Sequence, residues 1–280
     1  MTHTVYTPDL ARIIEIRDET SDTRTLRLRF LDDEKQQSFT FTPGQFGLFS
    51  VFGEGEATFC IASPPTWHDY FECCFRLVGR VTKALRLLDV GSIIGFRGPY
   101  GAGFPIDEWE GKNLLFIAGG IGLPPLRTVI WTVLEETWRP RYKNITIVYG
   151  ARTAADLVYK QEIHKWESRG DISMIKTVDP GGETGDWNGT SGFVPVVLEH
   201  EKPSSENTIA LVCGPPVMIK FTLPVLSKLG FDLENIFTTL ENRMKFGIGK
   251  CGRCNVGDFY VCKEWPVITA AHLKTLPPEY

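Results

Sequence analysis

The chain has 280 residues, of which 42% are hydrophobic and 23% are charged, and its formal net charge is −4. This composition is that of an ordinary globular protein and excludes a disordered, fibrous or strongly nucleic-acid-binding chain. The length predicts two compact domains with an appendage. No basic, apolar signal peptide opens the sequence, and its most apolar stretch, 114–126, is broken by glycine and proline, so a cytoplasmic protein without a membrane span is expected.

The first part of the chain, residues 1–105, consists of short segments in which apolar and polar residues alternate. Period-two alternation separated by turns predicts a small antiparallel β barrel. One helix interrupts it over 82–91, with Thr82 as its N-cap and Gly91 as its stop. The alternating segments are 11–19, 23–30, 37–52, 69–79 and 92–98.

From residue 106 to 231, apolar strand segments alternate with helical ones. This order predicts a doubly wound α/β domain with a parallel sheet. The polar, glycine-rich stretch 179–192 is predicted to be an exposed loop. The predicted strands are 113–120, 144–152, 172–179 and 208–214, and the predicted helices are 124–138, 156–170 and 215–230.

The remaining residues, 232–280, contain one predicted strand, 235–242, and a loop with three of the seven cysteines. Cys251, Cys254 and Cys262 fall within twelve residues, and an odd cysteine count does not suit a disulfide framework. They are interpreted as ligands of a metal or cluster in a reducing compartment. This cysteine-rich lobe is too small for a core of its own, so a bound centre would order it.

Three ends of the predicted parallel strands have the composition of a ligand site. Open parallel sheets bind ligands at these ends, and the glycine turn 119–127 lets a backbone approach a pyrophosphate. Arg152 ends the next strand, where it can meet a 2′-phosphate or stack on adenine, so the choice between NAD and NADP stays open. Cys213 ends a third, where a nicotinamide ring can approach. The glycine turn can also be a purely structural turn, and Cys213 can also be a small buried hydrophobic residue, so both alternatives remain open.

Three segments of the predicted barrel have features of a flavin site. The backbone groups of 43–50 and 58–65 can hydrogen-bond an isoalloxazine edge, and 78–85 sets a helix N-terminus after a glycine, as a pyrophosphate requires. Each segment taken alone also fits an ordinary barrel turn.

Taken in order, the motifs are far more specific than any one of them. They are PGQF, FCIAS, GRVT, RGPYGAGFP, AGGIGLPPLR, YGARTAADL, CGPP, LENRMKFGIGKCGRCNVG and YVC. This ordered set covers nearly the whole chain and resembles the ferredoxin-NADP reductase superfamily. It is most similar to the branch with a C-terminal [2Fe-2S] loop, which includes the electron-transfer subunits of dihydroorotate dehydrogenase, the B chain of anaerobic sulfite reductase and the gamma subunits of sulfhydrogenase.

The resemblance implies two cofactor sites in this chain. The residues implied to flank the ring of FAD are Phe59, Cys60, Ile61 and Ala62. Those implied to hold its pyrophosphate are Gly79, Val81 and Thr82. Those implied to line the same pocket are Gly98, Pro99, Tyr100 and Gly101. Those implied to bind NAD(P)H are Gly119, Gly120, Gly122 and Leu126, with Cys213, Gly214 and Pro215 near its reactive ring. Glu241 is implied to stand close to the flavin, and with Cys213 it is the candidate catalytic residue.

The chain departs from the family pattern at several positions. Cys60 stands where the family usually has serine, Ala57 and Thr58 replace an arginine-containing flavin motif, and Trp265 replaces a glycine. Phe246 replaces a cysteine, so only three of the four thiolates of a [2Fe-2S] cluster remain. A retained cluster is favoured, with Asp258 a candidate fourth ligand. The alternatives are a zinc site and a vestigial one.

The resemblance implies an electron-transfer subunit. A hydride would pass between NAD(P)H and FAD, and single electrons between FAD and the cluster or a partner subunit of a hydrogenase, a sulfite or sulfur reductase, or a heterodisulfide-reductase-type complex. The histidines form no hydrolytic triad motif. The alternative is a non-catalytic docking or scaffold subunit with vestigial flavin and metal sites.

Overall fold

The computed structural model describes residues 4–277, which divide into two compact units. The barrel unit comprises 4–104, 127–132 and 240–266, and the sheet unit comprises 105–126, 133–239 and 267–277. The cysteine-bearing loop thus groups with the barrel residues. The predicted division at 105 and 231, with a small C-terminal cluster lobe over 232–280, stays a prediction about how the chain folds.

The barrel unit is built on one antiparallel sheet with the strand order β4–β3–β6–β1–β2–β5, which confirms the predicted barrel. Strand β2 buries alternate apolar side chains at Leu26, Leu28 and Phe30, and most of the side chains of β5 are buried and apolar. Its core is rich in phenylalanine, with Phe71 stacked on Phe30 at 4.7 Å and against Phe96 at 4.8 Å. The strands are β1 Asp9–Asp18, β2 Thr23–Phe30, β3 Phe46–Val51, β4 Gly55–Cys60, β5 Phe71–Arg76 and β6 Ile93–Tyr100.

Two short helices belong to this part, α1 at Asp33–Ser38 and α2 at Arg80–Arg86. Helix α1 was not predicted, because its polar sequence has no apolar period; Asp32 caps it by accepting from the Lys35 amide at 3.1 Å. The N-cap of helix α2 is Gly79 rather than Thr82, so the predicted N-cap was wrong. Thr82, at the third helical position, instead accepts from the Gly79 amide at 2.8 Å, which is the half of a capping box that a glycine N-cap allows.

The sheet unit contains the predicted parallel sheet, in the order β10–β9–β8–β7–β11–β12–β15, with only β15 antiparallel to its neighbour. Strand β11 is buried along its whole length, as a central parallel strand must be. Its strands are β7 Asn113–Gly119, β8 Ile145–Ala151, β9 Ser173–Val178, β10 Thr190–Ser191, β11 Thr208–Cys213, β12 Ile236–Thr239 and β15 Val267–Thr269. Its helices are α4 Lys160–Glu167, α5 Val194–Glu201, α6 Pro216–Lys228 and both ends of α3 Leu123–Leu134, whose middle, 127–132, groups with the barrel unit.

The C-terminal part of the chain contributes small elements to both units. The hairpin β13 Asn255–Val256 and β14 Phe259–Tyr260 and the helical turn α7 Val261–Glu264 belong to the barrel unit, and the turn α8 Ala270–Leu273 belongs to the sheet unit. Strand β15 and α8 were not predicted. Strand β15 has three residues, too few for a period to be recognised.

Candidate functional site

The glycine turn after β7 is in contact with the end of β11. A Cβ atom added to Gly122 would lie 2.3 Å from the carbonyl oxygen of Cys213 and 2.6 Å from the Cα of Gly214. Gly120 has φ +52 and open space around it, and the Tyr149 hydroxyl donates to its carbonyl at 3.1 Å. The turn therefore has a close-packed side at Gly122 and an open side at Gly120, which a pyrophosphate can approach.

The structure brings most of the predicted dinucleotide residues to this edge. Gly119 and Gly214 both lie against the side chain of Met218, and Pro215 caps α6. Leu126 is fully buried in the first turn of α3. Pro124 and Pro125 occupy that turn and have no N–H, so the amides available to an anion come from the turn 120–122 before the helix.

Cys213 is 6% exposed at the end of β11, and its Sγ lies 2.9 Å from the hydroxyl oxygen of Thr239. Thr239 ends the adjacent parallel strand, β12. Strand pairing therefore fixes the orientation of the thiol, which is largely enclosed by protein.

A carboxylate that the sequence reasoning missed lies beside Arg152. Asp179 directly follows β9, and its amide donates to the Ala151 carbonyl at 3.1 Å. Burial raises the pKa of Asp179, and the charge of exposed Arg152 opposes that shift. Strand β8 itself ends without an acidic residue. Asp179 follows the end of β9, which pairs in parallel with β8, and an Asp directly after a predicted strand was the available indication.

The predicted flavin segment, Phe59–Ala62, runs from β4 into the following loop. Cys60 pairs with Phe46 of β3, and the Ile61 amide donates to the Gln45 carbonyl at 3.1 Å. Phe59 and Cys60 are half-buried, whereas Ile61 and Ala62 are fully buried. Just before them, the hydroxyl of Thr58 is buried without a hydrogen-bond partner. A polar ligand group can satisfy that hydroxyl.

The predicted pyrophosphate turn is shaped by Thr82. Its hydroxyl accepts from the amides of Val78 at 3.0 Å and Gly79 at 2.8 Å, and it donates to the Gly79 carbonyl at 2.9 Å. Nothing lies within 4 Å of a Cβ placed on Gly79. The first amides of a helix, here including that of half-buried Val81, have no carbonyl of the same helix to bond with. The open turn therefore suits an anion.

The turn 98–101 packs on the C-terminal segment of the same unit. A Cβ on Gly101 would lie 2.4 Å from the Trp265 carbonyl, and one on Gly247 would lie 2.5 Å from the ring of Tyr100. Gly98, at φ +151, leads into Pro99 through a cis peptide bond. The structure thus brings the predicted flavin-pocket turn to the start of the cysteine loop.

Glu241 begins the segment that leads to the cysteine loop. Its side chain is reached by solvent, yet enough protein surrounds the carboxyl for desolvation to raise its pKa above the usual range. A raised pKa is a common feature of carboxyl groups that exchange protons at functional sites.

The three cysteines of the loop lie in one neighbourhood. The Gly249 amide donates to the Sγ of Cys262 at 3.2 Å, and burial, together with a hydrogen bond that the Cys262 thiol shares with Cys254, raises the pKa of the Cys262 thiol to about 11. Phe246 is 43% exposed and contacts the ring of Tyr6 edge-on at 6.5 Å. Across 4–277, no three His, Cys, Asp or Glu side chains are grouped closely enough to hold a metal ion. Because a [2Fe-2S] centre takes four protein ligands, this donor set does not fit one held by cysteine alone.

Comparison with known proteins agrees with this geometry. Residues 116–223 match the family model of the oxidoreductase NAD-binding domain, and that range includes the glycine turn, Arg152 and Cys213. Sulfhydrogenase 1 subunit gamma of Pyrococcus furiosus is 37% identical over 276 residues, which cover 97% of this chain and 94% of the relative. A probable dihydroorotate dehydrogenase B (NAD(+)) electron transfer subunit of Methanocaldococcus jannaschii is 32% identical over 95% of this chain and 91% of its own length.

Solved structures share the fold. The NADH-dependent reduced ferredoxin-NADP oxidoreductase, studied for flavin-based electron bifurcation, superposes with a TM-score of 0.73 at 21% identity, over 100% of this chain and 92% of that one. A ferredoxin NADP+ reductase from Neisseria gonorrhoeae with bound FAD and NADP gives 0.67 at 18% identity, over 82% and 96%.

The barrel, the parallel sheet and the glycine turn define an oxidoreductase with an NAD-binding domain. The chain belongs to the ferredoxin-NADP reductase superfamily, in the branch of the sulfhydrogenase gamma subunits and the dihydroorotate dehydrogenase electron-transfer subunits. Within the described part of the chain, none of the helices has the length and apolarity to cross a lipid bilayer.

Proposed function

We propose that this chain is the flavin subunit of a redox complex, which passes a hydride between a nicotinamide dinucleotide and FAD. The observation that supports this most is the glycine turn, whose packed side at Gly122 is fixed by the backbone of Cys213 and Gly214 while its side at Gly120 stays open. FAD, when bound, accepts a hydride and releases electrons one at a time.

The residues of the sheet unit bind and orient the dinucleotide. The turn amides at 120–122 receive the pyrophosphate, and the buried thiol of Cys213, held by Thr239, limits where the nicotinamide ring can lie. Cys213 acts through position and polarity, since its enclosed thiol is not placed as a nucleophile.

NADH is the proposed dinucleotide. Asp179 places a carboxylate at the ribose edge of the sheet, where it accepts hydrogen bonds from ribose hydroxyls and repels a 2′-phosphate. Arg152, which is exposed, is then available to cover the adenine.

In the barrel unit, Phe59–Ala62 and the turn 98–101 are the proposed walls of the flavin pocket, and the unpartnered hydroxyl of Thr58 fits a polar flavin atom. The turn shaped by Thr82 is the proposed pyrophosphate site. Glu241, whose carboxyl has a pKa raised by desolvation, is proposed to hold or release a proton beside the flavin.

The proposed partner is a further subunit that exchanges electrons with this chain, because the relatives are themselves subunits of sulfhydrogenase and dihydroorotate dehydrogenase. The cysteine loop faces the flavin-pocket turn through Gly247, which makes it the proposed side of electron exit. Retention of a [2Fe-2S] cluster by Cys251, Cys254 and Cys262 stays a prediction. Iron and acid-labile sulfide analysis of anaerobic protein tests it, with zinc or no metal as the contrary result.

The proposal is tested by the flavin content of the purified protein. Denaturation should release FAD, about one per chain, because the Gly79 turn provides for a pyrophosphate. Release of FMN would contradict the pyrophosphate site, and a protein that neither contains nor binds flavin would favour the alternative, a docking or scaffold subunit.

A further inference from the structure

A buried ion pair lies directly beneath the predicted flavin segment. Arg127, in the part of α3 that belongs to the barrel unit, is 1% exposed, and Glu72 of β5 is 0% exposed. The Arg127 Nη1 atom is 2.8 Å from the Glu72 Oε2 atom and donates to the Ala62 carbonyl at 2.5 Å. One guanidinium therefore joins a buried carboxylate to the backbone of the flavin segment.

Further hydrogen bonds join Ala62 and Ser63 to Glu72 of β5 and to Thr128 of α3. The Ala62 amide donates to the Glu72 carbonyl at 2.7 Å, and the Glu72 amide donates to the Ser63 hydroxyl at 3.1 Å. The hydroxyl of Thr128, next to Arg127, donates to the Ser63 carbonyl at 2.9 Å. Strand β5 and helix α3 together fix this short loop.

Glu72 has more cationic partners than its charge requires. Its Oε1 atom accepts from Arg17 at 2.9 Å and from Arg27 at 3.0 Å, in addition to the Arg127 contact on Oε2. Burial opposes its ionisation, but the three arginines outweigh that cost and keep the pKa of Glu72 below its usual range. Arg17 and Arg27 bind the carboxylates of Glu72 and Glu15 and so compensate charge, whereas Arg127 also reaches the loop.

We propose that Arg127, anchored by Glu72, is a positioning residue that fixes the backbone of 61–63 for flavin binding. The inference rests on the proposed function, since it assigns the flavin to Phe59–Ala62. Arg127 touches no reacting atom in this role. It acts by holding the Ala62 carbonyl, and therefore the strand end beside it, in one place.

The test compares Arg127→Met with a matched control, Arg27→Met. Both substitutions remove one arginine from Glu72, and each leaves two others to compensate its charge. Only Arg127→Met breaks the contact with Ala62. Two quantities are measured on the full chain, namely amide hydrogen exchange of 61–63 in the flavin-free protein and the dissociation constant for added FAD.

In Arg127→Met, the amides of 61–63 should exchange faster and the dissociation constant for FAD should rise about tenfold or more, because a charge-assisted hydrogen bond is lost. In Arg27→Met, both quantities should change little. Thr128→Val, which removes only the bond to Ser63, should act in the same direction more weakly and serves if Arg127→Met does not fold. Equal exchange in Arg127→Met and Arg27→Met, or faster exchange without weaker FAD binding, would overturn the inference. A wild-type protein that binds no FAD would overturn the proposed function as well. This outcome is distinguished from failure of the inference alone because it is seen in the unsubstituted protein.

Discussion

Substituting Gly122 with alanine tests the dinucleotide turn most sharply. The added Cβ would lie 2.3 Å from the Cys213 carbonyl oxygen and 2.6 Å from the Gly214 Cα, and both are backbone atoms, so no side-chain rotation relieves the contact. The turn and the end of β11 must therefore separate by about 1 Å. Overpacking of this kind costs about 1–3 kcal/mol, and a 1 Å misplacement at a reactive centre can lower a rate by about 10²-fold.

The assay is the rate at which NADH bleaches the flavin absorbance of FAD-loaded protein under anaerobic conditions. Gly122→Ala should lower that rate by about 10²-fold while FAD stays bound, because the clash lies within the sheet unit. Gly170→Ala is the matched control, since Gly170 has an ordinary φ and no atom within 4 Å of the added Cβ. A wild-type rate in Gly122→Ala would refute the assignment of this turn to the dinucleotide.

Three other substitutions have defined outcomes. Thr82→Val removes the hydroxyl that accepts from the Val78 and Gly79 amides, so helix α2 should lose about 1 kcal/mol of capping stabilisation. FAD retention, measured by equilibrium dialysis, should fall, and unchanged retention would exclude Thr82 from the pyrophosphate site. Asp179→Ala should raise the efficiency of NADPH relative to NADH, measured as a ratio of kcat/KM values, and an unchanged ratio would remove Asp179 from the ribose site. Glu241 has a raised pKa in the folded protein, so it adds stability below its unfolded pKa, and this is lost as pH rises through the folded pKa. Glu241→Gln should therefore have a higher Tm than the wild type at pH 8 and not at pH 4, and equal values at both would contradict the raised pKa.

The architecture was predictable because hydrophobic period follows secondary structure. Alternation in β2 and the apolar runs of β7 and β11 are long enough to identify the barrel and the parallel sheet. Where the period is absent or short, prediction failed, as for polar α1 and three-residue β15. The start of α2 was misplaced because a threonine at the third helical position resembles an N-cap in sequence while acting from within the turn.

The site was predictable only in part, for a physical reason. Glycines and strand ends are local features, whereas Asp179 and the Glu72–Arg127 pair depend on residues that are distant in sequence becoming neighbours. Glu72 and Arg127 are 55 positions apart, and each looks like an ordinary surface charge until β5 and α3 bury them. A charged residue inside an otherwise apolar strand such as FECCFR was the available indication.

The proposed reaction is the transfer of a hydride from NADH to the FAD that this chain binds. Its most direct test is a single-turnover experiment in which anaerobic FAD-loaded protein is mixed with NADH, or with NADH deuterated at the transferred C4 hydrogen. We expect the flavin bands to bleach, and to bleach more slowly with the deuterated donor, because that bond breaks in the observed step. Flavin that stays oxidised in excess NADH and NADPH would contradict it.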